Sequence, residues 1–277
     1  MEVLPEDCIA HILSCVTPQD VCRFTVVASA IRDAAESEVL WDKFLPPDYH
    51  QIISRSVCPL TFESKKELFF KLSAPILIDG GLKTFSIEKA TGKKCYTLSA
   101  RDLYIAWSSN SLFWCWKPCT KSRFSEVVEL RMTSWLEIEG NINTRNLSPD
   151  TYYRAYLITE VAHYRAFGLD VLPCEVSVEV GESHSQGKIN FSHNKCIKPC
   201  FERTCRPNEV KEGLRSKFGE YISRFCRERK DGWLEIELGE FYNDGSYEKE
   251  VKMNLREVNG VHLKGGLIVE GIEIRPI

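Results

Sequence analysis

Cysteine and histidine are the residues here with the widest range of chemistry, and the chain carries twelve of the first and six of the second. His184, His193, Cys196, Cys200 and Cys205 gather in one stretch. Zinc takes such ligands, but C-x3-C-x4-C matches no common zinc spacing and the chain has no CxxC, so coincidence in a cysteine-rich chain is the better account. Cys8, Cys15 and Cys22 repeat every seven residues, yet Pro18 interrupts any helix through them, so they read as buried small hydrophobes. The histidines His11, His50, His163, His184, His193 and His262 are scattered, and none sits in a nucleophile elbow or HExxH context. Glu250 and Glu257 are the one pair of acids that could be cast as a hydrolytic couple. The sequence sets no separation between them, and hydrolysis is the weaker reading. No catalytic residues, cofactor or metal are expected.

The elements that position these residues fall into two classes. At 277 residues, one small and one large domain are expected. A formal charge of −3 is too small to imply a nucleic-acid or membrane partner. The acidic start at Glu2, Glu6 and Asp7 precedes no long apolar run, so neither a signal peptide nor a membrane span is expected. A cytoplasmic or nuclear location follows from that reading. Without secretion, no disulfide framework is expected, and the sequons at Asn146 and Asn190 would stay unmodified.

Ile9, Ile12, Leu13 and Val16 follow the i, i+3, i+4, i+7 spacing of one helix face. Thr17 is a natural N-cap, Pro18 fits the first helical position and Asp20 the capping-box acid, so a second helix starts at Pro18 and carries Val21, Cys22, Val26 and Val27. Leu40, Trp41 and Phe44 form a third apolar cluster. Three short helices in about 45 residues bury little of themselves, so the module is marginal alone. Ser64-Lys65-Lys66-Glu67 resembles a capping box, followed by the apolar stripe Leu68, Phe69 and Leu72.

From Pro75 onward the period becomes two. Leu136 and Ile138, Val176, Val178 and Val180, Leu234, Ile236 and Leu238, and Val251, Met253 and Leu255 each alternate with polar residues, as half-buried strands do. Thr84 to Leu98 reads as a hairpin around Ala90-Thr91-Gly92-Lys93. Leu267 and Val269 share a face, and Ile272 and Ile274 resume one residue out of phase, which predicts a β-bulge at Gly271. Trp135-Leu136-Glu137-Ile138-Glu139 recurs as Trp233-Leu234-Glu235-Ile236-Glu237, read as two strands of one amphipathic pattern. These strands predict an antiparallel sandwich or jelly roll.

Two resemblances sharpen this. The segment Leu4-Pro5-Glu6-Asp7-Cys8-Ile9-Ala10-His11-Ile12-Leu13, then Thr17-Pro18-Gln19-Asp20-Val21 and Leu40-Trp41-Asp42-Lys43-Phe44, resembles an F-box. Small residues at Ala28-Ser29-Ala30 depart from the basic-aromatic stretch many F-boxes carry there. The stretches Lys94–Leu103, Phe113-Trp114-Cys115-Trp116, Ser122–Leu130, Asp231–Phe241 and Gly271–Pro276 resemble the Nictaba-type, or phloem-protein-two-like, lectins. The whole chain is therefore similar to plant F-box–Nictaba proteins. The resemblance implies an α+β multidomain fold: a small all-α F-box over 1–47, a helical connector over 48–74, and an antiparallel β-sandwich lectin domain, jelly-roll-like, over 75–277. The polar, then basic stretch 181–230 is its variable loop region.

The resemblance also implies roles. Leu4, Pro5, Ile9, Ile12, Leu13, Val16, Pro18 and Val21 would dock on a Skp-type adaptor and through it a cullin-RING ubiquitin ligase. Trp107 and Trp114 match the family's sugar-binding tryptophans, Trp116 shares a strand face with Trp114, and Glu250 and Glu257 match its acids. An aromatic face and a few fixed polar groups are what a pyranose needs, although a tryptophan is more often core than ligand. Trp135 and Trp233 are assigned to the fold. The expected role is a non-catalytic receptor that presents glycoproteins bearing N-acetylglucosamine for ubiquitination. One alternative is a receptor that has lost sugar binding and reads a protein surface. Another is a zinc- or polyanion-binding regulator using 184–230.

Overall fold

The computed structural model describes residues 4–162, 164–191 and 226–277. The N-terminal module holds four helices rather than three: α1 (Glu6–Leu13), α2 (Pro18–Phe24), α3 (Ser29–Ala34) and α4 (Glu38–Phe44). α2 starts as its sequence dictates, with the Asp20 backbone N–H donating to Thr17 Oγ1 at 3.2 Å and Pro18 in the first turn. The small residues that begin at Ala28 form the N-cap and first turn of α3, which lies against α1.

Two further helices follow, α5 (Tyr49–Ser54) and α6 (Lys65–Leu72). Ser64 Oγ caps α6 by accepting from Glu67 N at 3.1 Å. Its stripe Leu68, Phe69 and Leu72 is fully buried. Trp41 is the hinge of this packing: its ring lies 5.2 Å from Phe69 and 5.5 Å from Phe70, and its indole N–H donates to Ala35 O at 2.7 Å. α6 thus supplies the apolar surface that four short helices lack.

The remainder is antiparallel. The large sheet runs β1 (Ile76–Ile78), β2 (Lys83–Ile87), β3 (Lys94–Ser99), β14 (Leu267–Pro276), β8 (Thr151–Val161), β12 (Leu234–Asn243) and β11 (Cys226–Glu228). The hairpin β5 (Trp114–Pro118) and β6 (Glu126–Leu130) joins it along the start of β14. The small sheet runs β10 (Ser183–Ile189), β9 (Cys174–Val180), β13 (Glu250–Glu257), β7 (Leu136–Asn143) and β4 (Tyr104–Ile105). The alternating residues of both sheets face one core. At Gly140 a side chain would meet Ile272 Cδ1 of the other sheet at 2.8 Å, so the layers touch there without one. The bulge expected in the last strand falls between Val269 and Gly271.

Helices and sandwich share that core. Two ion pairs seal the seam: Arg55 grips Asp79 through two 2.7 Å hydrogen bonds, and the buried Lys94 Nζ lies 2.7 Å from Asp48. The guanidinium holds the Asp79 carboxyl below its ordinary range. Lys94 begins β3, and its backbone N–H donates to Ser148 Oγ, so the start of β3 and the turn before β8 lie at the helical pole. The turn after β4 and the entry to β7 lie at the opposite pole.

Candidate functional site

At the far pole the chain leaves β4 through a tight turn closed by Ser108 N donating to Ile105 O at 3.0 Å. Trp107 is its third residue, with φ +65°. That region favours glycine, and an L-residue with a side chain pays roughly 1–2 kcal/mol there. The residue is 59 % exposed. What holds it is a pair of indoles on β5: Trp114 Nε1 donates to Ala106 O at 2.9 Å, and Trp116 Nε1 donates to Ser108 O at 2.9 Å. The two carbonyls flank Trp107. From the other side Ala106 N donates to Glu137 O at 3.0 Å. The three tryptophans form one device, in which two indole donors fix a third, outward ring. Trp114 itself is 1 % exposed and in the core. Trp116 is half-buried under the guanidinium of Arg101, 3.5 Å from its ring centre.

Trp135 stands at the same pole, 46 % exposed, with its indole N–H donating to Glu137 Oε2 at 2.9 Å. It is outward, although the sequence reading assigned it to the fold. The signal was present: alternation places Trp135 with Glu137 and Glu139, opposite Leu136 and Ile138. Trp233, in the same pentapeptide, is buried. Val127, Tyr156 and Ile158 form a small apolar cluster over it, and Lys121 Nζ lies 4.4 Å above its ring.

The two acids part company. Glu257 is buried and pairs with the buried Lys264. Its other oxygen accepts from Gly260 N at 2.8 Å, and Lys264 Nζ donates to Ser134 O at 2.6 Å. Through Lys264, Glu257 therefore fixes the backbone next to Trp135. Glu250 is exposed at the other end of β13, opposite Asn143, with Lys252 3.7 Å away. Seven residues of strand, about 24 Å, separate it from Glu257. The geometry brings Trp107, Trp135, Glu137 and Glu257 to one pole and leaves Glu250 out. Beside them Met132, Phe167 and Leu263 are exposed on three segments linked by the bridges Thr133 to Lys264 and Phe167 to Gly265.

At the helical pole the expected docking residues divide. Leu4, Pro5 and Ile12 are exposed, and Ile9 and Val16 half-buried. Leu13, Pro18 and Val21 are buried and hold the module together. Phe24 and Val39 add exposed apolar surface that the helical spacing did not single out; Val26 and Val27, expected on the second helix, lie exposed beyond its end at Phe24, and Cys8, Cys15 and Cys22, expected to be buried, are exposed.

His193, Cys196, Cys200 and Cys205 lie outside the described residues, as do His163 and most of the basic stretch before Cys226. Among the described residues, no group of three or more His, Cys, Asp or Glu side chains could hold a metal ion, and no helix is long and apolar enough to cross a membrane.

Comparison with known proteins agrees with both halves. The family model for phloem protein 2 matches residues 93–276, and an F-box-like model matches residues 1–46. Among curated proteins of Arabidopsis thaliana, F-box protein PP2-B15 is 47 % identical over 99 % of this chain and 96 % of its own length. F-box protein PP2-B13 is 41 % identical over 100 % and 99 %, and F-box protein VBF 40 % identical over 100 % and 99 %.

Proposed function

This chain belongs to the F-box proteins that carry a phloem protein 2 domain, and we propose that it is the target-recognition subunit of a Skp–cullin–F-box ubiquitin ligase whose sandwich binds glycans containing N-acetylglucosamine. The chain supplies proximity, and catalysis belongs to other subunits. The observation that carries the sugar reading is Trp107. A tryptophan ring is held in solvent, in a backbone conformation that disfavours it, by two other tryptophans. Strain of this kind persists where it serves a ligand. A flat, exposed indole suits the apolar face of a pyranose, and Trp135 with Glu137 offers a second ring and a hydroxyl acceptor.

For the adaptor, the exposed Leu4 and Ile12 are the contact residues, and Leu13 and Val21 support them from below. The target is a glycoprotein, met in the cytoplasm or nucleus. A second reading has its own observation: the exposed Met132, Phe167 and Leu263 beside the platform would suit a protein surface with no sugar on it.

The test is a glycan array probed with the full-length protein, with Trp107→Ala and Ile12→Asp beside it. Binding to N-acetylglucosamine oligomers or N-glycans, lost in Trp107→Ala and kept in Ile12→Asp, supports the sugar reading. Ile12→Asp should in turn lose capture of the purified adaptor. A folded protein that binds no glycan overturns the sugar reading in favour of the protein surface.

A further inference from the structure

The spacing of Cys8 and Cys15 has a geometric meaning in α1. Seven residues are close to two helical turns, so both cysteines fall on the face that carries Ile12 between them. The helical path persists past Leu13: Ser14 has φ −71° and ψ −10°, and Cys15 N donates to Ile12 O at 3.1 Å. Cys8, Ile12 and Cys15 are all exposed, and so is Leu4 just before the helix. The face proposed to meet the adaptor is therefore apolar, with two free thiols set into it.

Two features open these thiols to a partner from outside. Two turns of helix put their Cα atoms about 10 Å apart, beyond the about 7 Å that a disulfide spans. They cannot pair with each other. The second feature is charge. Cys15 Sγ donates to His11 O at 3.5 Å, and Ser14 Oγ donates to the same carbonyl at 2.7 Å. Lys43 of α4 donates to Ser14 Oγ at 3.0 Å and lies 3.4 Å from His11 Nδ1. An ammonium thus stands at the Cys15 end of the face, where it would meet the carboxylates of an anionic thiol.

We propose that Cys8 and Cys15 are sites of mixed-disulfide formation with glutathione, and that the adduct closes the docking face to the adaptor. The proposal rests on the adaptor reading above. The reaction is an exchange. The cysteine thiolate attacks one sulfur of glutathione disulfide, a new S–S bond forms as the old one breaks, and one glutathione thiolate leaves. The thiol proton passes to solvent. The protein sulfur is oxidised and the departing glutathione reduced, so no further oxidant enters. Glutathione carries two carboxylates and one ammonium, and Lys43 is placed to pair with its net negative charge. The adduct sets a charged peptide beside Ile12, where the contact with the adaptor must be dry. Charge buried without a partner is costly, so the face accepts either the adaptor or glutathione. Attack by reduced glutathione runs the exchange backward and reopens it. Cys58 is exposed too, but it follows α5 in the segment that pairs with β1, and its modification leaves docking untouched.

The experiment treats the full-length protein with glutathione disulfide, maps adducts by peptide mass spectrometry and measures capture of the purified adaptor. Each protein's oxidised sample is read against its own reduced sample. The proteins are the unaltered chain, the double variant Cys8→Ser with Cys15→Ser, and Cys58→Ser. The expected result for the unaltered chain is adducts on Cys8 and Cys15, capture weakened at least about tenfold, and recovery with dithiothreitol. Cys58→Ser should behave as the unaltered chain does, and the double variant should capture the adaptor equally in both samples. Absence of adducts from both residues, capture that persists in the modified protein, or a loss that the double variant shares overturns the proposal and leaves the adaptor reading standing. A reduced, folded, unaltered protein that captures no adaptor overturns both.

Discussion

If Trp107 holds a sugar as proposed above, ligand binding and stability pull in opposite directions at this one residue. The turn from Ile105 to Ser108 asks for glycine at its third position and receives tryptophan. Trp107→Gly should therefore leave the melting temperature unchanged or raise it by a few degrees, since relief of the strained φ is set against the loss of one ring contact with Phe113 at 6.2 Å. The same change should abolish binding on the array. A variant that loses stability and binding together would instead mark Trp107 as a packing residue. The strain had no sequence signal, because nothing in Ala106-Trp107-Ser108 announces a positive φ. Nor could the sequence distinguish the exposed Trp107 from the buried Trp114, since tertiary packing alone decides which ring faces water. The outward face of Trp135, by contrast, was legible in the period-two pattern.

Elements were the most legible scale, because local patterns set them. The cap at Thr17, the cap at Ser64 and the phase slip at Gly271 each follow from a few adjacent residues, and each appears where those residues put it. What surrounds a strand is not local. The outer face of β14 shows this at Glu273, a carboxylate that the alternation leaves facing water. Arg123 from the turn between β5 and β6, and Arg229 from the turn between β11 and β12, close over it at 2.8 and 3.0 Å. Burial acts to raise its pKa, but the guanidiniums of Arg123, Arg229 and Arg275 prevail and hold it at about 2. Its folded pKa is thus depressed. The stabilisation is present above the unfolded value near 4.3 and is lost as pH falls toward 2. Glu273→Gln should lower the melting temperature at pH 7, by an effect on the order of 3 kcal/mol, and the gap from the unaltered protein should narrow steadily below about pH 4.3. A gap constant from pH 7 to pH 2.5 would show that the ion cluster contributes nothing to folding.

At the scale of the molecule, one core runs from the α1 helix to β14 without a break. The N-terminal helices depend on α6, and α6 rests on β2. Calorimetry should accordingly show one cooperative transition for helices and sandwich together. Asp48→Ala, which strands the buried Lys94 ammonium, should lower that single transition rather than split off a separate one. Two resolved transitions would mean that the helical module unfolds on its own. This dependence was only partly legible: the sequence showed that the first 45 residues were too small to stand alone, but not which surface would complete them.

Strand β8, eleven residues long, runs from the helical pole to the far pole and spans about 36 Å. In the role proposed above, a chain with no hinge along that strand would be an outrigger of fixed length, unable to swing a captured molecule toward the ligase's transfer site. All rotational search must then come from the tether on the captured side. A glycan, with a freely turning bond at each sugar link, is a tether of that kind. Ubiquitin delivered this way would spread over whichever lysines pass within reach, instead of falling on one lysine chosen by a rigid interface.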